Sequence, residues 1–287
     1  MAYVMEAYDN ALKHILENGF RKKNRTGMDT IAVWCIESRY RIDEHLPIVT
    51  GRKVWPKAVW AELLWLLSGS TRNRDLQELG ANFWTPWVDE EWAKKNGYVE
   101  DAFGPLYGFQ LRHQGGHYAN GDPTHPRYGE GGADQLAYMM DTLKNSPDSR
   151  RNLFSYWSLK DLPKMKLPPC HYTFQLYVEE DRLSGALCQR SCDFPVGVPA
   201  NIQFYSTLIY MLAQQAGLKP HEFVHSTRDS HIYVDQIDAV EEYLDRPKPD
   251  SPKLELEPAE DIFSYRPNHF ELKDYEPLEK IDIPVAV

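Results

Sequence analysis

The sequence is poor in cysteine and has no paired-cysteine motif. Only four cysteines occur among 287 residues, and none stands in a CxxC pair. A disulfide framework would need more cysteines in so long a chain, and zinc sites and dithiol redox motifs need them closely paired. We therefore predict free thiols, no metal site and a reducing, cytoplasmic setting.

Basic charge and long apolar runs are also lacking. The chain has 32 Lys and Arg against 42 Asp and Glu, which gives a formal charge of −10. This balance disfavours binding to DNA, to RNA in bulk or to an anionic membrane, because each requires basic patches. No apolar run reaches bilayer-spanning length, and the N-terminal residues lack the apolar core of a signal peptide. A small anionic ligand is not excluded, since a few arginines suffice for it.

Internal repeats and glycine-rich nucleotide-binding motifs are absent as well. Neither G-x-G-x-x-G nor G-x-x-x-x-G-K-[ST] occurs, and helical and strand-like patterns follow each other without a regular βαβ order. We predict an α+β fold with one domain over 1–287 and a surface loop at about 113–133, which is rich in Gly and Pro. The periodicity predicts helices at 5–17, 57–68, 134–145, 201–216 and 235–244, and strands at 30–41, 172–178, 183–190 and 222–234.

Several polar residues in apolar or turn-rich surroundings are candidates for chemistry. Cys170 follows two prolines and precedes His171; a thiolate there could act as a nucleophile, although spacing alone favours a buried, inert cysteine. Arg190 could pair with Asp193 as a surface ion pair or bind a ligand. Asn201 stands near a helix start, where it could be an N-cap or could present a donor and an acceptor to a ligand.

Other candidates are equally ambiguous when taken singly. His231 and Tyr233 share one face of a predicted strand and could reach one ligand, or could simply form a half-buried face. The adjacent arginines Arg150 and Arg151 suit phosphate binding but are more often solvated. Glu62 lies inside an apolar helix pattern, where a carboxylate needs a partner or a raised pKa.

Taken together, eight short motifs in this order resemble those of the thymidylate synthase family over nearly the whole chain. The motifs are Arg25-Thr26-Gly27, Glu62-Leu63-Leu64-Trp65, Gly104-Pro105-Leu106-Tyr107-Gly108, Asp148-Ser149-Arg150-Arg151, Pro168-Pro169-Cys170-His171, Gln189-Arg190-Ser191-Cys192-Asp193, Gly197-Val198-Pro199-Ala200-Asn201 and Asp229-Ser230-His231-Ile232-Tyr233. The resemblance implies a large twisted mixed sheet, flanked by helices, that forms the interface of an obligate homodimer. It also implies transfer of a one-carbon unit from 5,10-methylenetetrahydrofolate to C5 of a pyrimidine nucleotide.

The resemblance further implies a role for each matching residue. Cys170 would add to C6 of the base, and Arg190 would be a further catalytic residue, since an arginine lies close to the thiol in this family and favours the thiolate. Glu62 would organise proton transfers with His171 and Tyr107 nearby, and Asn201 would select uracil and hence dUMP. The 5′-phosphate would be held by Arg25, Arg190 and Ser191 and by the partner subunit's Arg150 and Arg151, and the ribose by His231 and Tyr233. The folate would be bound by Asp193, Gly197, Trp84, Phe83, Val196, Arg52 and Val287.

Departures from the family pattern lie on the expected folate side. The family usually has Asp at Thr85, Phe at Ala200, Asn at Ser158, Lys at Arg52, Trp at Leu111 and Gly at Arg228. A looser folate and more water near C5 would favour hydroxymethylation of dUMP, an activity that suggests a virus or phage with modified DNA and a location in the host cytoplasm. We therefore lean to a dUMP hydroxymethylase, with thymidylate synthase as the alternative.

Two further classes remain as alternatives to that enzyme. A protein that only binds a nucleotide or RNA on the same scaffold would have no need of Cys170, Glu62 and Asn201. An enzyme acting on CMP or dCMP is disfavoured, because an aspartate at 201 would suit cytosine better than Asn201 does.

Overall fold

A computed structural model describes residues 2–24 and 26–285. The helices are α1 (Glu6–Asn18), α2 (Pro56–Ser68), α3 (Asn73–Glu78), α4 (Glu90–Lys95), α5 (Tyr107–His113), α6 (Gln135–Asn145), α7 (Gly197–Ala216) and α8 (Ile237–Asp245). The strands are β1 (Phe20–Lys22), β2 (Thr30–Arg41), β3 (Leu153–Ser155), β4 (His171–Glu179), β5 (Arg182–Asp193), β6 (Lys219–Tyr233), β7 (Lys253–Leu256) and β8 (Phe270–Lys273). None of the described helices is long and apolar enough to cross a bilayer.

The centre of the molecule is a six-stranded mixed sheet in the order β1-β2-β6-β5-β4-β3. Strands β5 and β6 are parallel, and every other neighbouring pair in this sheet is antiparallel. A parallel pair needs a crossover connection, and α7 supplies it. The ends of β5 and β6 and the beginning of α7 therefore meet at one edge of the sheet.

Helix α7 lies at the core because its sequence is apolar around most of its circumference. Its buried residues include Phe204, Tyr205 and Leu208, and its C-terminus ends at Gly217, whose left-handed φ of 70° suits glycine. Helix α2 is similarly apolar and contacts both α5 and α7. A buried layer of helices thus covers one face of the sheet.

The opposite face of the sheet exposes large apolar side chains. Trp34 on β2 is 73% exposed and Tyr177 on β4 is 68% exposed. A groove of about 650 Å³ on this face is lined by Arg39, Arg150 and Tyr177, among others. Soluble monomers rarely leave such apolar area on a flat sheet face, so this face is suited to covering by another protein surface.

The predicted elements agree with the structure in type and position, and the α+β fold class is confirmed. The largest boundary difference is at α7, which begins at Gly197 rather than at 201. The pattern 113–133 contains a 3₁₀ turn at Ala119–Gly121 and is closed by a bridge between Gln114 and Ala133. Tyr118 and Tyr128 anchor this segment through hydrogen bonds to Thr71 and to the carbonyl oxygen of Gly69.

Candidate active site

Cys170 lies immediately before β4, where the two preceding prolines end the loop that leads into the strand. Its backbone N–H donates to Tyr107 Oη at 2.8 Å, and Arg190 Nη2 lies 3.9 Å from its Sγ. The same guanidinium donates to the carbonyl oxygens of Pro168 and Pro169. A fixed cation beside a thiol favours the thiolate, so the geometry supports a nucleophilic Cys170 over an inert one.

His171 is held in its neutral form next to this thiol. Its ring stacks on Tyr107 at 4.4 Å between centroids, and its Nδ1 lies 2.6 Å from Tyr205 Oη. Burial lowers the pKa of His171 to about 3. A neutral imidazole in this place can donate or accept a hydrogen bond, but it contributes no positive charge.

Glu62 on α2 faces the same cluster and is partly buried. The indole N–H of Trp84 donates to Glu62 Oε1 at 2.6 Å. Burial raises the pKa of Glu62 to about 7, and the bond from Trp84 opposes that rise. A carboxyl group that titrates near neutral pH can both take and give a proton. Trp84 also contacts Tyr107 at 6.1 Å between ring centroids, which connects Glu62 to the thiol side of the cluster.

Asn201 lies on the first turn of α7, and its side-chain amide has no hydrogen-bond partner among the described residues. A Cβ atom added to Gly197 would meet only Asn201 Oδ1, at 3.8 Å. The start of α7 therefore opens onto free space. An amide with an unused donor and acceptor at such an opening can read one edge of a flat, hydrogen-bonding ligand.

The ends of β5 and β6 bring the remaining polar candidates together. Ser191 pairs with Asp229 and Asp193 pairs with His231 across the two strands. The ring of His231 meets that of Tyr233 at 5.3 Å, and Nδ1 of His231 lies 3.1 Å from Asp229 Oδ1. These positions follow directly from the parallel register, which places polar residues of both strands at one edge of the sheet.

Asp193 is a buried carboxyl group at this edge. Burial raises the pKa of Asp193 to about 6, although the amide of Gln236 donates to both of its carboxylate oxygens. Val196 and Gly197 follow as the entry to α7. Asp193 thus stands beside the opening near Asn201 rather than in an ion pair with Arg190, so the surface-pair interpretation does not apply.

Some predicted site residues lie apart from this cluster. Arg150 and Arg151 are exposed on the turn before β3 and make no hydrogen bond or ion pair with a site residue in the described part of the chain. Phe83 is 40% exposed. Arg25 and Val287 lie outside the described residues. No group of three or more His, Cys, Asp or Glu that could hold a metal occurs within 2–24 and 26–285.

Arg52, which the family resemblance placed among the folate-binding residues, is buried behind the loop that leads into α7. It is 8% exposed, and its Nη2 donates to the carbonyl oxygen of Pro195 at 2.8 Å. It also bonds to the side chain of Tyr8. Because its donors point inward, Arg52 supports the loop between β5 and α7 from behind.

The other residues that depart from the family pattern are buried or half-buried, or form hydrogen bonds within the chain. The hydroxyl of Thr85 accepts from Asn73 and Gln77, and that of Ser158 donates to Asp161. The sequence did not indicate these hydrogen-bond partners. Leu111 is buried, Ala200 is half-buried, and Arg228 contacts Cys35, Ser226 and Thr227 instead of a site residue.

Two residues of the site escaped the sequence analysis. Tyr205 is buried on α7, where its hydroxyl contacts His171, and it reads in the sequence as one more apolar helix residue. Gln236 is also fully buried and bonds to Asp193. Its position three residues after Tyr233, in an otherwise acidic and apolar segment, was the only available signal.

Comparisons with known proteins match nearly the whole chain to one family. The family model described as thymidylate synthase matches residues 6–287. A bifunctional dihydrofolate reductase-thymidylate synthase of Zea mays is 40% identical over 285 residues, which are 98% of this chain and 54% of that protein. The chain thus spans about half the length of this relative.

Two shorter relatives match over most of their own length. Thymidylate synthase of Corynebacterium aurimucosum is 40% identical over 288 residues, covering 100% of both chains. Thymidylate synthase of Homo sapiens is 38% identical over 284 residues, covering 98% of this chain and 90% of that protein. With the family model covering nearly the whole chain, the protein belongs to the thymidylate synthase family.

Proposed function

We propose that the protein transfers a one-carbon unit from 5,10-methylenetetrahydrofolate to C5 of dUMP. The observation that carries this proposal is the cluster in which Cys170 Sγ lies 3.9 Å from the Arg190 guanidinium, with Glu62 and a neutral His171 beside it. The cluster contains a nucleophile, a cation that favours its thiolate, and a carboxyl group that titrates near pH 7. These are the parts that an addition to an electron-poor ring with proton transfer requires.

Cys170 performs the first step in this proposal. Its thiolate forms a bond from Sγ to C6 of uracil, and the electron pair of the C5–C6 double bond moves toward C4, so that C5 becomes nucleophilic. Arg190 stabilises the thiolate before attack. The neutral His171 and its partner Tyr205 stay uncharged, so Arg190 supplies the positive charge beside the thiolate.

Asn201 and Glu62 handle the base and its protons. The free amide of Asn201 offers a donor to uracil O4 and an acceptor to the N3 proton, the pattern that distinguishes uracil from cytosine. Glu62, with a pKa of about 7, takes and returns protons through water and thereby permits loss of the C5 proton. Tyr107 fixes the backbone of Cys170 through its hydroxyl.

The polar residues at the ends of β5 and β6 bind the phosphate and the ribose of the nucleotide in this proposal. Arg190 and Ser191 on β5 hold the 5′-phosphate together with Arg25, and His231 and Tyr233 on β6 bond the ribose. Arg150 and Arg151 are exposed beside the open sheet face, which supports their reaching a partner's phosphate. We infer a homodimer that buries Trp34 and Tyr177, consistent with a family that is generally dimeric.

The folate, which supplies the one-carbon unit when bound, fits the opening at the start of α7. Asp193 presents a carboxylate for a pterin N–H, and Gly197 leaves room for a flat ring. Trp84, Phe83 and Val196 supply apolar surface beside it. The inward Arg52 supports the loop instead of contacting the folate, and Val287 is proposed to close over it.

The two products differ in what reaches the exocyclic methylene on C5. Hydride gives dTMP and dihydrofolate, whereas water gives 5-hydroxymethyl-dUMP and tetrahydrofolate. The names of the relatives at about 40% identity favour the methyl product. The half-buried Ala200, at a position where the family usually has Phe, favours the hydroxymethyl product, because it leaves volume for water beside the folate. We take thymidylate synthase as the first candidate and dUMP hydroxymethylase as the second.

One incubation separates these candidates. The protein is mixed with dUMP and methylenetetrahydrofolate, the nucleotide product is identified by mass spectrometry, and dihydrofolate is followed by absorbance. dTMP with equimolar dihydrofolate supports the synthase, and 5-hydroxymethyl-dUMP without dihydrofolate supports the hydroxymethylase. Unchanged dUMP together with measurable nucleotide or RNA binding would show a protein that binds without turnover, and preferential use of dCMP would refute the role of Asn201.

A further inference from the structure

Gln236 occupies a junction between three parts of the proposed site. Its Nε2 donates to Asp193 Oδ2 at 3.1 Å and Oδ1 at 3.2 Å, and also to the carbonyl oxygen of Pro284 at 2.8 Å. Its Oε1 accepts the backbone N–H of Tyr233 at 3.0 Å. The side chain is fully buried, so none of these bonds is exchanged with bulk water.

Each bond reaches a segment with a different proposed task. Asp193 belongs to the folate side, Tyr233 to the ribose side, and Pro284 to the C-terminal tail. An amide is the one neutral side-chain group that can donate twice and accept at the same time. A glutamate would place a second carboxylate against Asp193, and an apolar residue would leave the buried carboxylate without its donor.

We propose that Gln236 is a positioning residue that holds Asp193 and the C-terminal tail in the arrangement needed to bind folate. The proposal rests on the function proposed above, because it assigns the folate to Asp193. Gln236 touches no reacting atom; it acts through Asp193 and through the tail.

The charged groups that face Asp193 determine how a substitution at Gln236 would change the pKa of that carboxyl group. Asp193 is faced by His231 on β6, by Asp235 in the turn before α8 and by Tyr8 on α1. Arg52 is committed to the carbonyl oxygen of Pro195. Gln236→Glu therefore places a second buried carboxyl group against that of Asp193, and the pair so formed releases its protons in two separated steps, one at raised pH.

The test compares Gln236→Glu with Gln214→Glu. Gln214 is a matched control on α7, because its Nε2 also donates to a backbone carbonyl oxygen, that of Leu256, and its Oε1 accepts from Tyr265 Oη. No carboxylate accepts a hydrogen bond from Gln214 in the described residues. Both variants are measured for dUMP affinity by calorimetry and for folate KM and kcat across pH.

We expect Gln236→Glu to raise the folate KM at pH 8 by about tenfold or more, equivalent to 1.4 kcal/mol. The rise should shrink as the pH falls, because one proton then bridges the two carboxyl groups and restores a hydrogen bond. The dUMP affinity should change less, since Glu keeps an oxygen acceptor for the Tyr233 N–H. Gln214→Glu should resemble the wild type at every pH.

A Gln236→Glu protein with the wild-type folate KM, with a rise that does not depend on pH, or with an equal loss of dUMP affinity would overturn the proposal. If Gln236→Glu does not fold, Gln236→Met replaces it, since methionine has a similar length and no charge. Asp193 then loses a hydrogen-bond donor, its pKa rises, and the acidic limb of the pH profile of the folate KM should move to higher pH. A wild-type protein that neither turns over dUMP nor binds folate would overturn the proposed function and, with it, this proposal. A wild-type protein that is active while Gln236→Glu behaves like it would overturn this proposal alone.

Discussion

The hydrogen bond from Trp84 to Glu62 gives the sharpest prediction about catalysis. Burial raises the pKa of Glu62 to about 7, and the indole N–H, 2.6 Å from Oε1, opposes the rise by stabilising the carboxylate. Trp84→Phe removes that donor and keeps an aromatic ring in the same place. The charged form of Glu62 loses its donor, so its pKa rises further.

The size of the shift follows from the strength of the bond. A hydrogen bond to a charged group contributes about 1.5–3 kcal/mol, and one pKa unit corresponds to about 1.4 kcal/mol. Trp84→Phe should therefore raise the pKa of Glu62 by about 1 to 2 units. At pH 7 the ionised fraction would fall from about a half to roughly a tenth or less.

The assay is the pH profile of kcat at saturating dUMP and folate. If Glu62 must be ionised to accept a proton, activity falls on the acidic side as that group protonates. In the wild type the acidic limb should lie near pH 7, and in Trp84→Phe it should lie about 1 to 2 units higher. The position of the limb is the readout, because loss of apolar contact with folate lowers activity without moving it.

Trp87→Phe is the matched control. Trp87 contacts the ring of Trp84 at 6.1 Å between centroids and is half-buried like it. The acidic limb of the kcat profile of Trp87→Phe should coincide with that of the wild type. A Trp84→Phe protein whose acidic limb also coincides with the wild type would refute the assignment of Glu62 as the titrating group.

Three further predictions concern the scaffold around the site. Arg52→Met should raise the folate KM several-fold, because the carbonyl oxygen of Pro195 loses its donor, and should leave dUMP affinity nearly unchanged; equal effects on both ligands would contradict this. Asn152→Leu should stabilise the protein by roughly 1–3 kcal/mol in urea unfolding, because neither polar atom of this buried amide has a partner among the described residues; a lower midpoint would contradict it. His171 should show constant imidazole NMR shifts between about pH 5 and 8, since burial lowers its pKa to about 3; a midpoint in that range would contradict it.

Local patterns in the sequence were sufficient to predict the long helices and strands, but the short elements α3, α4, α5, β1, β3, β7 and β8 were not predicted. Strand β2 matches the predicted 30–41, and its exposed and buried residues alternate regularly over 37–41. Helix α7 was placed too short at its N-terminus, since Pro199 and Gly197 read as a turn although proline is tolerated in the first turn of a helix. The order of the strands could not be read from these patterns, because pairing β5 with β6 depends on contacts between distant segments.

The site was predictable as a set of residues and only partly as an arrangement. The motif around Cys170 named the thiol and its neighbours, and the family resemblance implied an arginine close to it. The contact itself, between Arg190 Nη2 and Cys170 Sγ, required the folded geometry. Arg52 was expected to bind folate and lies inside, because a lone basic residue in a sequence does not reveal which carbonyl oxygen it will meet. Gln236 was missed for a similar reason, since its partners stand 43 and 48 residues away along the chain.

The central claim is that Cys170 forms a covalent bond to C6 of the nucleotide during transfer of the one-carbon unit. Fluorine at C5 cannot leave as a proton does, so 5-fluoro-dUMP should halt the reaction after the nucleotide and the folate have both become attached. Mass spectrometry of the intact protein, followed by peptide mapping, measures this directly. We predict a mass increase of one nucleotide plus one methylenetetrahydrofolate, located on the peptide that contains Cys170 and absent from Cys170→Ser. An unchanged mass for the native protein, or an adduct that persists in Cys170→Ser, would contradict the account.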